Sequence, residues 1–597
     1  MSILSESGNA AAASTARGGV VSGAMLRGAR GVWRQRGKAA GDGSLLERVL
    51  AARGLSGADA SIFLEPTLKQ LHDPSGIPDL DKAAGRLLDA LRADEPIVIY
   101  GDYDVDGITA TAILFHTFRA ISATARVSTY VPHRIDEGYG LNESALRELA
   151  AGGARVIVSV DCGVTAVGPA RAAKDAGVDL IITDHHNPPA RMEDLPEAFA
   201  VVHPRRPDST YPFGELCGAG VAYKLAWRLA TLACGSQKVS ATLRDLLLEL
   251  LSLTSLGVIA DVVPLLGENR VIARFGLPRI KHSSLVGLQA LVEASGLAGE
   301  NVQAEDVGFK LGPRLNACGR MGHAREAVEL LTVADGPRAR EIARELTRQN
   351  NARREVEQAI AAQAIELAEK SGMTGPHRRA IVLAHEDWHA GVVGIVCSRL
   401  VSKFHRPTLL MHRGPEGCHG SGRSVEGFAL TDALGECAEF LSGFGGHDMA
   451  AGMRLDATRL EAFTEAFIAA ANRRLAPEEL VARLDYDTTA ALTEFSQDAI
   501  GMLERLAPFG RDNPKVQLLV RGVTLADRPK VLGSTGRHAV LMLRQERRTI
   551  RCLAWDRAAE LSALPTGATL DAIVVPRIST WNGMRSVEPE LVDLRVH

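Results

Sequence analysis

Three aspartates occupy alternate positions in the stretch DYDVDG, residues 102–107. Carboxylates this close repel one another unless a cation stands between them. A solvated turn is one way to house Asp102, Asp104 and Asp106. The first half of a calcium loop, D-x-D-x-D-G, is another, but that loop requires a bidentate Glu at its twelfth position. The twelfth residue counted from Asp102 is Ile113. Three further clusters carry similar chemistry: Asp161 in VDCG, then Asp184, His185 and His186 in TDHH, then Asp261 in ADVVPL. A single acid at a strand end commonly caps a helix or a turn. Four such clusters offer enough oxygen and imidazole ligands for two divalent ions a few ångströms apart. A metal pair of this kind serves phosphoryl chemistry by stabilising both the attacking and the leaving oxygen. The mixed ligand set suits Mn2+, with Mg2+ or Co2+ as alternatives.

Each cluster follows an apolar segment that has to position it. IVIY precedes Asp102, ARVIVSV precedes Asp161, DLIIT precedes Asp184, and LTSLGVIA precedes Asp261. A strand, an acidic turn and then a helix form the active-site layout of an open α/β sheet, whose ligands bind beyond the carboxyl ends of the strands. From residue 96 to about 265, short apolar runs, AFAVVH among them, alternate with helical patterns, as in a parallel sheet with crossover helices. Segment 43–95 reads as mainly helical. Segment 335–370 is one long charged helical pattern, long enough to bridge two domains. A second α/β region opens with AIVLAHEDW and runs to about 480. The runs VQLLVRGVTLA, HAVLMLR, RTIRCLAW and LDAIVVPRIS near the C-terminus suggest a small β-barrel.

The chain has 597 residues, a length that suggests roughly three or four domains. Its formal net charge is −3, so charge alone announces no nucleic-acid partner. The eight cysteines form no CxxC pair, which fits a reducing cytosol and argues against a structural zinc site. No apolar stretch approaches the roughly 20 residues of a membrane span. Residues 1–40 are rich in Ala, Gly and Ser and carry Arg17, Arg27, Arg30, Arg34, Arg36 and Lys38 against one acid, Glu6. That composition can imitate a transit peptide; the reading preferred is a disordered basic tail.

DYDVDG, VDCG, TDHH and ADVVPL, in this order, resemble the four motifs of the DHH phosphoesterase superfamily. GPRLNACGRMGHA (312–324), GSGRSVEGF (420–428), SGFGGHDMAAGM (442–453) and RLAPFGRDNP (505–514) extend the resemblance to the RecJ family of single-strand-DNA exonucleases, over about residues 40–597. The resemblance implies an α/β protein with a parallel-sheet DHH domain, a long connecting helix, a second α/β domain of the DHHA1 type and a C-terminal β-barrel of the OB-fold. The expected boundaries are a tail at 1–40, an N-terminal helical region at 41–95, the DHH catalytic domain at 96–334, the connecting helix at 335–374, the DHHA1 domain at 375–484 and the OB-fold at 485–597. It further implies Asp161 bridging two ions, Asp106, His185 and Asp261 completing one shell, and Asp104 with Asp102 serving the other. A pyrophosphatase branch of the superfamily has a histidine four residues before its first ligand aspartate, where this chain has Tyr100. His186 would face the substrate as a phosphate contact or proton donor, and Asp184 would orient a neighbouring histidine.

Phosphate-holding groups should be basic side chains and exposed backbone N–H groups. The candidates are Arg134, Arg314, Asn316, Arg320, Ser421, Arg423 and His447. Each has an ordinary alternative, because surface arginines pair with solvent or carboxylates and Gly-rich segments are usually turns. The resemblance puts Ser421 and Arg423 near a 5′-phosphate. Arg537, Arg544, Arg547, Arg548 and Arg551 could be a solvated strand face or a grip on single strands, with Trp555 and Trp581 as stacking platforms or core. The leading function is hydrolysis of single-stranded DNA from the 5′ end to mononucleotides, in DNA repair and recombination in the cytoplasm, with two Mn2+ or Mg2+ ions. The implied partners are single-stranded DNA, a single-strand-binding protein and repair helicases; the expected state is a monomer with no membrane contact. An oligonucleotide or cyclic-dinucleotide phosphodiesterase and a non-catalytic single-strand-binding scaffold are the alternatives. A dinucleotide-dependent dehydrogenase lacks support, since no strand is followed by G-x-G-x-x-G.

Overall fold

The structure, a computed structural model, describes residues 26–37, 41–133, 137–581 and 583–597. It divides into two compact units. Of the described residues, one unit comprises those within 63–481 and 506–515, and the other comprises those within 26–62, 482–505 and 516–597.

The larger unit begins its first sheet at β1 (Ile97–Tyr100), followed by β2 (Val127–Tyr130), β3 (Val156–Val160), β4 (Asp179–Thr183) and β5 (Ala200–Val202). All pair in parallel, in the order β2-β1-β3-β4-β5. Alternate residues feed two cores. Ile97, Ile99, Val156 and Val158 face one, and Val98, Tyr100, Ile157 and Ile182 face the other. Burial on both faces is why these runs are continuously apolar. β2, with sequence VSTY, is the short polar edge strand. The strand order reverses at β1 and β3, and that reversal opens a crevice at their carboxyl ends where ligands bind.

Three helices roof this crevice: α1 (Val105–Ile121), α2 (Gly218–Cys234) and α3 (Ala241–Ala260). α1 is buried on nearly every side from Val105 to Phe118. Its buried Thr109, Thr111 and Thr117 return their hydroxyls to carbonyls one turn back, at 2.8, 2.8 and 2.7 Å, so no polar group is stranded. After α4 (Gly312–Met321) comes α5 (Gly336–Lys370), a 35-residue helix about 50 Å long. Asp335 caps it by accepting from Arg338 N at 3.0 Å. The first half of α5 packs Ala339, Ile342 and Leu346 into the core of the parallel-sheet domain. Its second half packs Ile360, Ala361 and Ala364 into a second core. One rigid element therefore belongs to both domains. The second domain carries a mixed sheet in the order 443–447, 450–455, 417–423, 408–414 and 381–385, in which only the last pair is parallel. α6 (Ala390–Phe404) packs across this sheet.

The smaller unit contains the expected barrel. Strands Leu518–Leu525, Thr569–Val575, Glu590–Val596, Arg548–Ala554 and His538–Gln545 follow one another, and the last pairs with the first through Thr524–Arg544 and Leu525–Leu543. Closure leaves no open edge among these five strands. The strand Glu590–Val596 carries two buried or half-buried acids, Glu590 and Asp593, and for that reason does not read as a strand by hydropathy.

The expected disordered tail needs correcting over residues 26–37. Leu26–Arg27 and Gly31–Gln35 are strands, and the second pairs in parallel with Ala482–Tyr486. Trp33, 2 % exposed, donates its indole N–H to Asp593 Oδ2 at 2.8 Å. Arg34 binds both oxygens of Asp485, at 2.7 and 3.0 Å. A basic composition reads as solvation, but here the arginine finds a carboxylate and the tryptophan finds a core. Residues 1–25 and 38–40 lie outside the described residues.

Candidate metal centre

The turn after β1 places Asp104 as N-cap of α1, its Oδ1 accepting from Asp106 N at 2.9 Å and Gly107 N at 3.1 Å. The capping reading therefore holds for Asp104 without excluding a ligand role, since a carboxylate has a second oxygen. Asp106 is buried in the first turn of α1. Its oxygens accept from Gly218 N at 2.6 Å and Ala219 N at 2.9 Å, two amides at the start of α2 that suit a negative charge. Asp161 follows β3 with φ +64°, a left-handed conformation that Asp tolerates better than most residues. Tyr139 donates its hydroxyl to Asp161 O at 3.2 Å.

His185 and His186 follow β4. Asp184 accepts from Val164 N at 2.9 Å and from His185 N at 2.7 Å, and pairs with His186 Nδ1 at 2.7 Å. Asp184 thus fixes the turn and the His186 ring. His185 Nε2 stands 3.1 Å from Asp161 Oδ1, 3.6 Å from Asp261 Oδ2 and 3.8 Å from Asp106 Oδ2. Asp261 is the C-cap residue of α3.

These side chains form three overlapping groups whose ligand atoms lie within 4.8 Å of one another: Asp106, His185 and Asp261; Asp102, Asp104 and Asp161; and Asp161, His185 and His186. Asp161 belongs to two. Tyr100 does not join them. It is fully buried, and its hydroxyl donates to Gly140 O at 3.1 Å.

The donors fit divalent cations on two counts. His185 Nε2 and Asp161 Oδ1 are both buried without a hydrogen bond, a costly arrangement unless another partner takes them. Burial, then the neighbouring carboxylates, raises three of the acids: Asp106 to about 6, Asp261 to about 8, and Asp161 well above the usual range. Cations among them would reverse that penalty. Burial and then the charge of His186 lower His185 to about 3, leaving it the neutral imidazole that metal binding requires. Burial opposes a charge on His186, but the bond to Asp184 prevails and raises it to about 9.

Two glycines make the packing possible. A Cβ on Gly218 would lie 2.6 Å from Asp161 Cβ, and one on Gly257 would lie 2.4 Å from Asp106 Oδ1. Neither is foreseen in the sequence.

A cavity of about 700 Å3 opens beside the cluster. His185, His186, Arg205, Asp261 and Arg511 line it from one side, and Gly446, His447 and Asp448 of the second sheet domain line it from the other. His447 Nδ1 lies 3.4 Å from Asn187 Nδ2. Of the predicted phosphate-holding residues, the structure brings His447 to this cavity. Ser421 and Arg423 share a face of strand Gly417–Arg423 over the first turns of α6, where a Cβ on Gly394 would touch Ser421 Oγ at 3.2 Å and Arg423 Nη2 at 3.5 Å. Arg320 reaches the same helix end, donating to Gly391 O at 3.0 Å. Helix N-termini are ready sites for phosphate. Asn316 instead accepts from Val105 N at 3.1 Å and so steadies α1. Arg314 lies apart from the cavity lining, bonded to Thr347 Oγ1 and Lys310 O. Arg134 lies outside the described residues, as does the Trp581 side chain. Arg205 and Arg511 are not foreseen, because each is one cation in a charged loop.

In the barrel, Arg537, Arg544, Arg547, Arg548 and Arg551 are all exposed. Arg551 pairs with Glu588, and Arg537 with Asp556 at 3.4 Å. Trp555 is also exposed, its ring edge against His538.

A parallel sheet with ligand groups at the carboxyl ends of three strands, joined by one helix to a second sheet domain, defines a DHH-type phosphoesterase. The sequence matches the models of the DHH family, N-terminal domain over residues 96–253, the DHHA1 domain over 377–473 and the RecJ OB domain over 486–593. It is 37 % identical over 555 residues to the single-stranded-DNA-specific exonuclease RecJ of Bacillus subtilis, covering 92 % of this chain and 68 % of that one. Identity to the Escherichia coli exonuclease of the same name is 34 %, over 79 % of this chain and 82 % of the other. The crystal structure of RecJ in complex with Mn2+ from Thermus thermophilus superposes with a TM-score of 0.76 at 32 % identity, covering 92 % of this chain and 75 % of that one. A Mg2+ complex from the same source gives 0.71. The chain belongs to the RecJ family.

Proposed function

We propose that this protein is a metal-dependent exonuclease that digests single-stranded DNA from its 5′ end to mononucleotides. The observation that carries the reading is Asp161 at the strand-order reversal of the sheet, grouped on one side with Asp102 and Asp104 and on the other with His185, which in turn groups with Asp106 and Asp261. With Asp106, His185 and Asp261 on one side and Asp102 and Asp104 on the other, the groups suit two Mn2+ or Mg2+ ions. Such ions activate water and offset charge on both reacting oxygens.

The chain's own residues then have separate tasks. The amides of Gly218 and Ala219 hold Asp106 in place, and Tyr139 steadies the Asp161 backbone. Asp184 keeps a proton on His186, which faces the cavity and can donate it to a phosphate or leaving oxygen. Ser421 and Arg423, with the start of α6 behind them, suit a terminal 5′-phosphate and so set polarity. Arg320 braces the start of α6. The exposed basic strands of residues 485–597 suit a grip along the strand. A role in repair and recombination, with a single-strand-binding protein and repair helicases as partners and the monomer as working unit in the cytoplasm, completes the reading.

The test uses oligonucleotides labelled separately at each end, with Mn2+ or Mg2+. Mononucleotides should appear first from the 5′ label. Asp161→Ala should abolish cleavage while leaving single-strand binding largely intact. Release from the 3′ label first, or cleavage by the variant at the parent's rate, would overturn the assignment.

A further inference from the structure

Beside the cavity lined by His185, His186 and Asp261 lies a second hollow of about 520 Å3 that the exonuclease reading does not use. Its lining is mostly apolar, with Ile259, Val262, Phe309, Pro313, Phe509 and Pro514, and its polar members are Asn316, Glu305 and Lys515. Phe309 is 78 % exposed and Val262 57 %. With the apolar lining of the hollow these two side chains form one contiguous apolar surface, the kind that marks an interaction site. The exposure is built in. Val307–Leu311 is a π-helical turn that contains Gly308 and leads into Gly312, a distortion that recurs at functional sites.

The two hollows share their walls. Residues 259–263 are divided between them, with Asp261 and Val263 on the acidic side and Ile259, Ala260 and Val262 on the other. The loop 506–515 does the same, with Arg511 on the acidic side and Phe509, Gly510, Pro514 and Lys515 on the other. This loop is held firmly. Arg270, buried, donates to Phe63 O at 2.9 Å, Leu506 O at 2.9 Å and Ala507 O at 3.1 Å. Asn513 Nδ2 donates to Leu506 O and Pro508 O at 2.8 Å each, and Leu265 N donates to Arg511 O at 2.9 Å. Arg511 Nη1 donates to Val262 O at 3.3 Å. It therefore stands on the crest between the acidic cluster and the apolar hollow. Lys515 at the far side shares its charge with Glu305 at 2.6 Å.

A cation on the crest and an aromatic platform beyond it suit one occupant, a nucleotide. We propose that the substrate strand on the 3′ side of the scissile bond crosses the 506–515 loop, with a phosphate held by Arg511 and a nucleobase stacked on Phe309. The inference rests on the exonuclease reading. It adds a binding subsite that is independent of base identity, because every base offers a π-face.

The experiment measures kcat/KM of the full-length protein and of Phe309→Ala on 5′-phosphorylated oligonucleotides carrying one abasic residue at successive positions from the 5′ end. Phe309 is exposed, so its removal should leave the melting temperature unchanged. At one position the abasic residue should cost the parent about tenfold or more, and cost Phe309→Ala little further. Cleavage of a 5′-phosphorylated dinucleotide whose 3′ residue is abasic should be equal in both proteins. Phe309→Trp should restore the parent's pattern, and Arg511→Ala should flatten the salt dependence of KM. Abasic penalties that match at every position in parent and variant would overturn the subsite, and so would equal loss on the dinucleotide. Failure of the parent to digest any single strand would instead overturn the exonuclease reading on which the subsite rests.

Discussion

Gly218→Ala is the most direct probe of the cluster geometry. The added methyl would sit 2.6 Å from both Cβ and Oδ1 of Asp161 and 2.7 Å from its Cγ. Ordinary carbon contacts are about 3.5–4 Å, so the two groups must part by roughly 1 Å. A Cβ cannot rotate away, and neither side can yield alone. Gly218 N is held by Asp106 Oδ2 at 2.6 Å. Asp161 N is held by Thr183 O at 3.0 Å. Displacement therefore passes to the Asp161 carboxylate, which two ligand groups share. A misplacement of this size costs about 100-fold in rate. Overpacking of this kind typically costs about 1–3 kcal/mol of stability, which the thermal melt reads separately from the rate. The assay is kcat on a 5′-phosphorylated single strand at saturating Mn2+, with calorimetry to count bound ions and a thermal melt as control. A variant that binds Mn2+ with the parent's stoichiometry and cleaves at the parent's rate would refute the argument that the Gly218–Asp161 approach sets the site.

Three further outcomes are expected. Mn2+ at a hundred times its dissociation constant should stabilise the larger unit, relative to chelator-treated protein, by about 2.7 kcal/mol for each ion bound, because it relieves the carboxylate crowding around Asp161; an unmoved melting temperature would count against the ligand set. Arg423→Ala should reduce the preference for 5′-phosphorylated over 5′-hydroxyl strands more than it weakens total binding, which paired digests of the two substrates would show. Trp33→Ala should destabilise the barrel unit by about 3–5 kcal/mol, read as an earlier denaturant midpoint; a shift under about 1 kcal/mol would mean the N-terminal strand adds little to that unit.

The acidic residues are legible because their chemistry is local: an acid or histidine directly after a buried run marks the crevice end of a strand. β3, β4 and β5 stand out for the same reason, each being a continuous apolar run. β2 does not, because an edge strand with Ser128 and Thr129 lacks that contrast. Glu590–Val596 is hidden by its acids, one of which, Asp593, is buried because Trp33 and the amide of Arg30 satisfy it. The two glycines under the cluster are invisible for a deeper reason. Their role is an absence of atoms, and it has meaning only once the opposing aspartate is in place. Arg314 shows the converse. Its motif is polar and Gly-rich, as expected of a phosphate clamp, yet the helical register turns it toward Thr347.

The bond between Trp33 and Asp593 joins residues 560 apart in sequence. A ribosome adding roughly 5–20 residues per second needs about half a minute to two minutes to make that span. For most of that interval the strand Gly31–Gln35 has neither its sheet partner at Ala482–Tyr486 nor the acid that receives its indole. The larger unit can meanwhile complete its parallel sheet from residues 97–202. Synthesis order and folding order are thus inverted for the smaller unit: its earliest segment waits for its last strand. During that wait a tryptophan and several arginines stand open to chaperones, to proteases and to the polyanions of the cell.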